Sequence, residues 1–204
     1  MKTLIAGYRK FRKEIWPHQH LRFAELAKGQ KPHSLIIACS DSRVDPMTIF
    51  GARPGELFVI RNVASIVPPY ETDGGHHGVS AAIAFAVLKL EVERIVVLSH
   101  AQCGGIAAVV CADTQHDDTP FVSEWVALLQ PAVDRCGKGP EHQTDVEHES
   151  VRLSLERLMS FPFIAERVKQ GKLELAGAHF GISDGALLLL DPQSRQFRPI
   201  ETEA

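Results

Sequence analysis

Three short, continuous runs of apolar residues constrain the fold of this chain more than any other feature of its sequence. They cover residues 35–38, 57–60 and 95–98, and apolar and polar residues do not alternate within them. Strands that are covered on both faces carry such runs, because both sides of the strand need apolar side chains. The pattern therefore predicts central parallel strands in an α/β fold.

The segments between and after these runs have helical periodicity. In residues 78–90 apolar side chains recur at steps of three and four, so we expect a crossover helix that joins the second and third strands in a βαβ unit. A Gly- and Pro-containing stretch at 136–147 predicts a loop. Further helices are predicted over residues 104–110, 120–133 (with Phe121, Trp125, Leu128 and Leu129 on one stripe), 146–159 and from 162 to 170.

The two ends of the chain complete the predicted fold. The first 30 residues should form an amphipathic helical arm. Two further strands, 172–178 and 186–191, should pair as a hairpin around the turn at 183–185. We therefore predict an α/β fold with a mostly parallel central sheet flanked by helices, an N-terminal helical arm and a C-terminal hairpin that closes the sheet.

Length and charge limit the number of domains and the class of partner. Domains hold about 100 to 200 residues, so 204 residues predict one domain over 1–204. The 22 basic and 25 acidic residues lack the basic excess that suits a nucleic acid. The longest apolar run, at 81–88, has eight residues where a bilayer span needs about 20. We expect no nucleic-acid or membrane partner and, without a secretory signal at the N-terminus, a cytoplasmic location.

Two of the predicted strands run directly into chemically reactive residues. The first is followed by Cys39, Asp41 and Arg43, and the third by His100 and Cys103. Because parallel strands end at one edge of a sheet, both clusters should lie together. Two thiols and one imidazole are donors that Zn²⁺ selects, and three protein ligands leave the open position typical of catalytic zinc. Asp41 lies near enough to compete with water for that fourth position.

The other cysteines and a phosphatase interpretation are less favoured. A cysteine-phosphatase loop at Cys39 would need about five residues before its arginine, and here three intervene. Cys111 and Cys136 have no ligand-like neighbours and should be small core residues. Because no cysteine or carboxylate lies at ligand spacing from them, the following are expected to be surface or hydrogen-bonded histidines: His76, His77, His116, His142, His148 and His179.

Three blocks of the sequence, 38–44, 55–64 and 99–105, closely resemble in this order the three signature blocks of the β-class carbonic anhydrases. The resemblance extends from about residue 23 to residue 191. It implies one Zn²⁺ per chain held by Cys39, His100 and Cys103, with a catalytic pair of Asp41 and Arg43. It also implies a homodimer, often assembled into a tetramer, that reversibly hydrates carbon dioxide to bicarbonate and a proton by attack of zinc-bound hydroxide.

The residues themselves suggest how such a centre would be adjusted. Two thiolates cancel the zinc charge, which should leave its water less acidic than at a three-histidine site. Asp41 can accept a hydrogen bond from the hydroxide, and Arg43 can keep Asp41 ionised and turned away from the metal. The group that passes the proton to solvent is not identified by the sequence.

The resemblance also implies a substrate pocket and a mode of regulation. It assigns Gln30 and Phe58 of the neighbouring subunit to the pocket, although Phe58 and Val63 alone would suit core packing. Phe85 stands where plant-type members have tyrosine. Some members bind a regulatory bicarbonate through tryptophan, arginine and tyrosine, which here correspond to Ile36, Arg61 and Phe180, so we predict the non-allosteric kind. The complete predicted pocket is Gln30, Phe58, Val63, Phe85 and Gly104.

Two other functions remain open at this point. A β-class relative that hydrolyses carbon disulfide or carbonyl sulfide would keep every zinc residue and differ in substrate access. A noncatalytic zinc-binding protein would be expected to lose Asp41 or Arg43, and both are present.

Overall fold

The computed structural model describes residues 1–111 and 120–200 of the chain. Its first unit, Met1–Lys31, is helical. Here α1 (Lys2–Lys10) continues through one turn of π-helix (Phe11–Ile15) into α2 (Trp16–Leu26). The aromatic rings of this unit pack on one another, with 5.3 Å between the ring centroids of Trp16 and Phe23. The predicted N-terminal helical arm is thus confirmed.

The second unit, which begins at Pro32, is built on a six-stranded sheet. The strands lie in the order β2-β1-β3-β4-β5-β6. The first three pairings in this order are parallel, and the last two are antiparallel. The mostly parallel sheet and its C-terminal hairpin are confirmed, and β6 extends the hairpin by a strand that was not predicted. The strands are β1 (Ser34–Cys39), β2 (Leu57–Asn62), β3 (Arg94–His100), β4 (Glu174–Phe180), β5 (Leu187–Leu190) and β6 (Phe197–Pro199).

The apolar run at 57–60 did not predict its position in the sheet correctly. All six residues of β1 are buried, but β2 lies at the edge of the described sheet and most of its residues are only half-buried. The chain leaves β2, passes through the helix Gly78–Leu88 and returns as β3, on the far side of β1. The predicted crossover helix is therefore confirmed, although it does not join neighbouring strands.

The helices of the second unit follow the predicted periodicity with two exceptions. The predicted helix at 120–133 is interrupted by a 3₁₀ turn ahead of Pro131, and Phe121, placed on its buried stripe, is 77% exposed. The predicted loop at 136–147 is much shorter, because helix resumes at Gln143. None of the described helices is long and apolar enough to cross a bilayer. The helices are α3 (Pro46–Ile49), α4 (Gly78–Leu88), α5 (Gly104–Val110), α6 (Pro120–Val126), α7 (Gln130–Cys136), α8 (Gln143–Leu158) and α9 (Pro162–Lys169), with 3₁₀ turns at Val63–Ser65, Ala127–Leu129 and Pro140–His142.

Both faces of the sheet contribute to a buried core. On one face, Leu35 and Ile95 pack against helical residues such as Ile83 and Leu158. A separate apolar cluster surrounds Cys39 and Cys103 and includes Ile106, Leu129 and Val146. The carboxyl ends of the strands therefore rest on their own packed layer, which holds the reactive residues in place.

Candidate metal centre

The structure brings Cys39, His100 and Cys103 together at the carboxyl edge of the sheet. Cys39 ends β1, His100 ends β3, and Cys103 precedes the first turn of α5. Their ligand atoms all lie within 4.8 Å of one another, and the two sulfur atoms are 3.9 Å apart. The three residues are 5%, 0% and 1% exposed, so the group is shielded from solvent.

This donor set fits a zinc ion. Two sulfurs bound at tetrahedral angles to one zinc would be about 3.8 Å apart, close to the distance found here. Nδ1 of His100 is 2.9 Å from the carbonyl oxygen of Ala101, to which it donates, so Nε2 carries the free lone pair. Nε2 is buried and has no hydrogen-bond partner among the described residues. A metal ion is the partner that such a nitrogen and two neighbouring sulfurs would share.

The surroundings of Cys39 favour its thiolate. The pKa of the Cys39 thiol is lowered to about 4, chiefly by a hydrogen bond from Cys103 and against the opposing effect of burial. Hydrogen bonds from the backbone at Asp41 and Ala64 contribute to this lowering. The pKa of Cys103 is raised, because its proton is held by the neighbouring sulfur and because the thiol is buried. Thiolate is the form that binds metal, so the pocket is suited to a cation.

Asp41 and Arg43 form a bidentate pair beside these ligands. Arg43 donates from Nη2 to Oδ2 of Asp41 at 2.7 Å, and from Nε and its backbone N–H to Oδ1 at 3.0 and 2.9 Å. These bonds hold the pKa of Asp41 well below its usual range. Oδ2 of Asp41 lies 3.8 Å from Nε2 of His100. An anionic hydrogen-bond acceptor is therefore placed next to the metal-binding atoms and is turned towards Arg43.

Arg61 binds the loop that carries Asp41. Its Nε donates to the carbonyl oxygen of Cys39 at 2.9 Å, and its Nη2 donates to those of Asp41 and Val44, both at 2.6 Å. The sequence had suggested Arg61 only as the remaining member of a regulatory anion pocket. In the structure the guanidinium of Arg61 donates hydrogen bonds to three carbonyl groups. These bonds fix the backbone on both sides of Asp41.

A strained turn follows β2 and contacts Cys39. Ala64 and Ser65 both have positive φ, 63° and 52°, a conformation that costs free energy in residues other than glycine. The side chain of Asn62 stabilises the turn, because it accepts from the N–H of Ile66 at 2.8 Å and donates to its carbonyl at 2.9 Å. The turn thereby directs the backbone N–H of Ala64 to the sulfur of the metal ligand.

Val63, one of the predicted pocket residues, is held against α5. Nε1 of Trp125 donates to the carbonyl oxygen of Val63 at 2.8 Å. A β-carbon at Gly105 would lie 2.6 Å from Cγ1 of Val63, so only glycine permits this contact. At Gly104, also predicted in the pocket, an added β-carbon would meet open space. Val63 remains 37% exposed and presents an apolar surface close to the ligand-bearing loops.

The remaining predicted pocket residues are Phe58, Phe85 and Gln30. Phe58 is half-buried near the start of β2, and its ring centroid lies 5.9 Å from that of the partly exposed Phe85. Gln30 belongs to the first unit, where it is exposed. Contributions of Gln30 and Phe58 to a neighbouring subunit's pocket remain predictions.

Sequence reasoning missed a buried group behind Cys103. Glu147 of α8 accepts the backbone N–H of Cys103 at 3.0 Å, and Nε2 of His179 on β4 lies 3.1 Å from its other oxygen. Gln143 lies beside them and donates to both Glu147 and the carbonyl of Cys103. The sequence predicts for His179 only a surface or hydrogen-bonded histidine. No local pattern could have found the group, because Glu147 lies 44 residues from Cys103 and 32 residues from His179.

The remaining cysteines and histidines differ from prediction at several positions. Cys111 is exposed and Cys136 is half-buried, so Cys111 is not the core residue that was expected. His77 does have carboxylate neighbours, because Asp73 lies 2.6 Å from its Nε2 and Glu71 is within 4.8 Å. This second group lies on the surface. His116 lies outside the described residues.

Fold and site together define an α/β protein with a buried zinc-binding centre at the carboxyl edge of its sheet. The family model described as "Carbonic anhydrase" matches residues 34–187, and the chain belongs to this family. It is similar to "Beta carbonic anhydrase 3" of Arabidopsis thaliana, at 35% identity over 91% of this chain and 74% of that protein. "Beta carbonic anhydrase 5, chloroplastic" of the same plant is 37% identical over 90% of this chain, which spans 62% of that relative's length.

Solved structures place the chain in the β class. The β-carbonic anhydrase CcaA superposes with a TM-score of 0.92 at 31% identity, over 99% of this chain and 92% of that one. A tetrameric β-carbonic anhydrase from Sordaria macrospora superposes with a TM-score of 0.71, also at 31% identity, over 93% and 92% of the two chains. The predicted β-class fold is confirmed, and zinc is the cofactor of this class.

Proposed function

We propose that this chain catalyses the reversible hydration of carbon dioxide to bicarbonate and a proton, with zinc held by Cys39, His100 and Cys103. The convergence of these three buried side chains beside the paired Asp41 and Arg43 carries the proposal. Membership of the carbonic anhydrase family and similarity to named β-carbonic anhydrases support it.

The residues of this chain would divide the chemistry as follows. When bound, zinc supplies the Lewis acidity that lowers the pKa of a water molecule from 15.7 towards about 7. Asp41, an anion that can only accept hydrogen bonds, orients the O–H of the attacking water so that an oxygen lone pair faces carbon dioxide. Arg43 holds Asp41 ionised and away from the metal. Val63 offers the apolar contact that a small apolar substrate needs.

The first test is stopped-flow measurement of carbon dioxide hydration with zinc quantified in the same samples. Replacing Cys39, His100 or Cys103 with Ala should abolish zinc content and hydration together, because the site then has two ligands. The exposed Cys111 provides a matched control, and Cys111→Ala should keep both. A zinc-loaded, fully active Cys103→Ala protein would overturn the assignment of ligands.

A second substrate class tests the alternative function. Hydrolysis of carbon disulfide or carbonyl sulfide would need the same metal ligands, so the comparison must be made on one zinc-loaded preparation. We expect hydration of carbon dioxide without appreciable release of hydrogen sulfide. The reverse result would assign the chain to the sulfide-releasing relatives, and a loaded protein inactive on all three would be a zinc-binding protein without this catalysis.

We also propose that bicarbonate does not switch this enzyme off. Ile36 and Phe180 belong to one apolar cluster, which lacks the donors that an anion requires, and the guanidinium of Arg61 is bound to three carbonyls. Asp41 should remain paired with Arg43 at neutral pH. A crystal structure at pH 7 and activity against added bicarbonate test this, and sigmoidal inhibition with Asp41 bound to the metal would contradict it.

The assembly and the cellular location are further proposals. We propose a homodimer, or a tetramer built from two dimers, supported by the tetrameric relative from Sordaria macrospora and by the pocket positions assigned to Gln30 and Phe58 of a neighbouring subunit. Light scattering gives the mass, and restored activity on mixing Gln30→Ala chains with zinc-site variants would show shared sites. A cytoplasmic location suits the reduced thiols of the site and is tested by cell fractionation.

A further inference from the structure

Glu147 carries a completely buried carboxylate directly behind the metal ligands. Burying an ionised carboxylate costs several kcal/mol unless hydrogen bonds replace its water. Three donors do so here. The backbone N–H of Cys103 and Nε2 of Gln143 donate to Oε1 at 3.0 and 3.1 Å, and Nε2 of His179 lies 3.1 Å from Oε2. A carboxylate accepts only, so Nε2 of His179 carries the proton.

These contacts fix the main chain of Cys103 on both sides of its Cα atom. Its N–H is held by Glu147, and its carbonyl oxygen accepts from Gln143 at 3.3 Å and from the N–H of Ala107 at 2.9 Å. The preceding residue, Gln102, has a positive φ of 56°. With the backbone fixed in this way, the direction of the Cα–Cβ bond of Cys103 is also fixed. The sulfur of Cys103 lies 3.9 Å from the sulfur of Cys39.

The support behind Glu147 comes from the sheet itself. His179 lies on β4 opposite Ser99, the residue that precedes the ligand His100 on β3. Nδ1 of its ring is buried and has no hydrogen-bond partner in the described part of the chain. The ring's one hydrogen bond there is therefore the bond to Glu147. The same two strands therefore position His100 directly and Cys103 through Glu147.

We propose that Glu147 is a positioning residue for the zinc centre: held in place by His179 and Gln143, it fixes Cys103 at the geometry that binds zinc and so sets zinc affinity. The inference depends on the proposed zinc ligands and not on which substrate the centre acts upon. Partners of metal ligands typically change metal affinity by about 10- to 100-fold when they are replaced.

The experiment measures zinc affinity by competition with a fluorescent chelator, on protein whose fold is verified by near-ultraviolet circular dichroism. Glu147→Gln keeps an acceptor for Cys103 but turns an NH₂ group towards the N–H of His179, and it should weaken zinc binding about 10-fold. Glu147→Leu removes the acceptor and should weaken zinc binding about 100-fold. Replacement of zinc by cobalt should also show a changed thiolate-to-cobalt absorption band in both variants.

The same helix offers a matched control. Glu149 is also buried, but it accepts from Arg135 and Arg152 at 2.7 and 3.0 Å and has no hydrogen bond with Cys103 in the structure. Glu149→Gln should therefore lower the unfolding midpoint while zinc affinity and the cobalt spectrum stay unchanged. This contrast separates positioning of the ligand from general stability of α8.

Milder changes keep the test decisive if Glu147→Leu does not fold. Gln143→Met removes the donor to the carbonyl of Cys103 from a half-buried position and should weaken zinc binding several-fold. The proposal fails if Glu147→Gln and Gln143→Met bind zinc as tightly as the parent protein, or if Glu149→Gln weakens zinc equally. Neither readout uses carbon dioxide, so an inactive parent protein would contradict the proposed function and leave this result unaffected.

Discussion

Two carboxylates flank the same metal ligands, and their surroundings are opposite. Asp41 lies at the accessible side and is paired with a half-exposed Arg43. Glu147 lies behind the ligands and is paired with a buried His179. Oδ2 of Asp41 lies 3.8 Å from Nε2 of His100, whereas Glu147 contacts the backbone of Cys103. The carboxylate on the accessible side of the centre therefore takes part in catalysis, whereas the carboxylate on the buried side positions a metal ligand.

The physical basis of this difference is solvent. An ion pair that solvent reaches contributes less to stability than a buried one, because water screens the charges and competes for the hydrogen bonds. Asp41 and Arg43 can therefore act on the substrate side while contributing little to the stability of the fold. Removing one partner from a buried pair leaves an uncompensated charge and is strongly destabilising. Glu147 and His179 consequently keep a single side-chain geometry, which a group that positions a metal ligand requires.

The largest expected effect comes from replacing a member of the accessible pair, Asp41 and Arg43. Asp41→Ala and Arg43→Ala should each reduce hydration by about 10²- to 10⁴-fold, the range for loss of a group that handles a proton or orients its acceptor. Zinc content and the melting temperature should change little. Arg94→Ala, which removes a surface pair with Glu174 at the opposite end of the strands, is the control and should leave hydration unchanged. If Asp41→Ala loses its zinc, Asp41 is a metal ligand and the proposed mechanism is wrong.

Arg61 tests whether the loop of Asp41 depends on charge or on geometry. Arg61→Met removes three hydrogen bonds to carbonyls and should lower the free energy of unfolding by about 1–3 kcal/mol, with a smaller loss of hydration than Asp41→Ala. Arg61→Lys keeps the charge but lacks the planar fork, so it should resemble Arg61→Met. Urea unfolding and stopped-flow hydration measure both effects. Full activity of Arg61→Lys would show that the charge alone is sufficient.

The smallest expected effect is a pH dependence of protein stability that arises on the buried side of the centre. The pKa of His148 is lowered from 6.5 to about 4, chiefly by burial and in part by the neighbouring His179 and Arg152. The unfolded chain would bind this proton near pH 6.5 and the folded chain only near pH 4. The contribution to stability is therefore complete above pH 6.5 and is lost progressively as the pH falls towards 4.

His148→Phe should remove this dependence and keep the stacking of this ring on Phe197. The measurement compares urea midpoints at pH 7.5 and pH 5. The midpoint of the variant should shift less between the two pH values than that of the parent protein, whereas the exposed His76→Asn should shift as the parent does. Equal shifts in all three proteins would show that His148 is not the titrating group.

The fold was predictable where local patterns determine it. The apolar runs of β1 and β3 and the helical period of α4 correspond to elements of the structure. The run at 57–60 is as apolar as the others but forms an edge strand, because strand order depends on the crossover connections and not on the composition of a strand. Phe121 shares the helix Pro120–Val126 with the half-buried Trp125 and is nevertheless 77% exposed, which the helical period alone did not indicate.

For the centre itself, the sequence by itself determined the donor types and the Asp-Ser-Arg spacing, since Asp41 and Arg43 pair across only two positions. Only the tertiary structure decided that Arg61 binds the loop carbonyls and that Glu147 holds Cys103. These contacts join segments that are 22 and 44 residues apart, and they depend on strand register and on the packing of α8. Local periodicity indicates which face of an element is buried, whereas the partner across the core is chosen by the assembled fold.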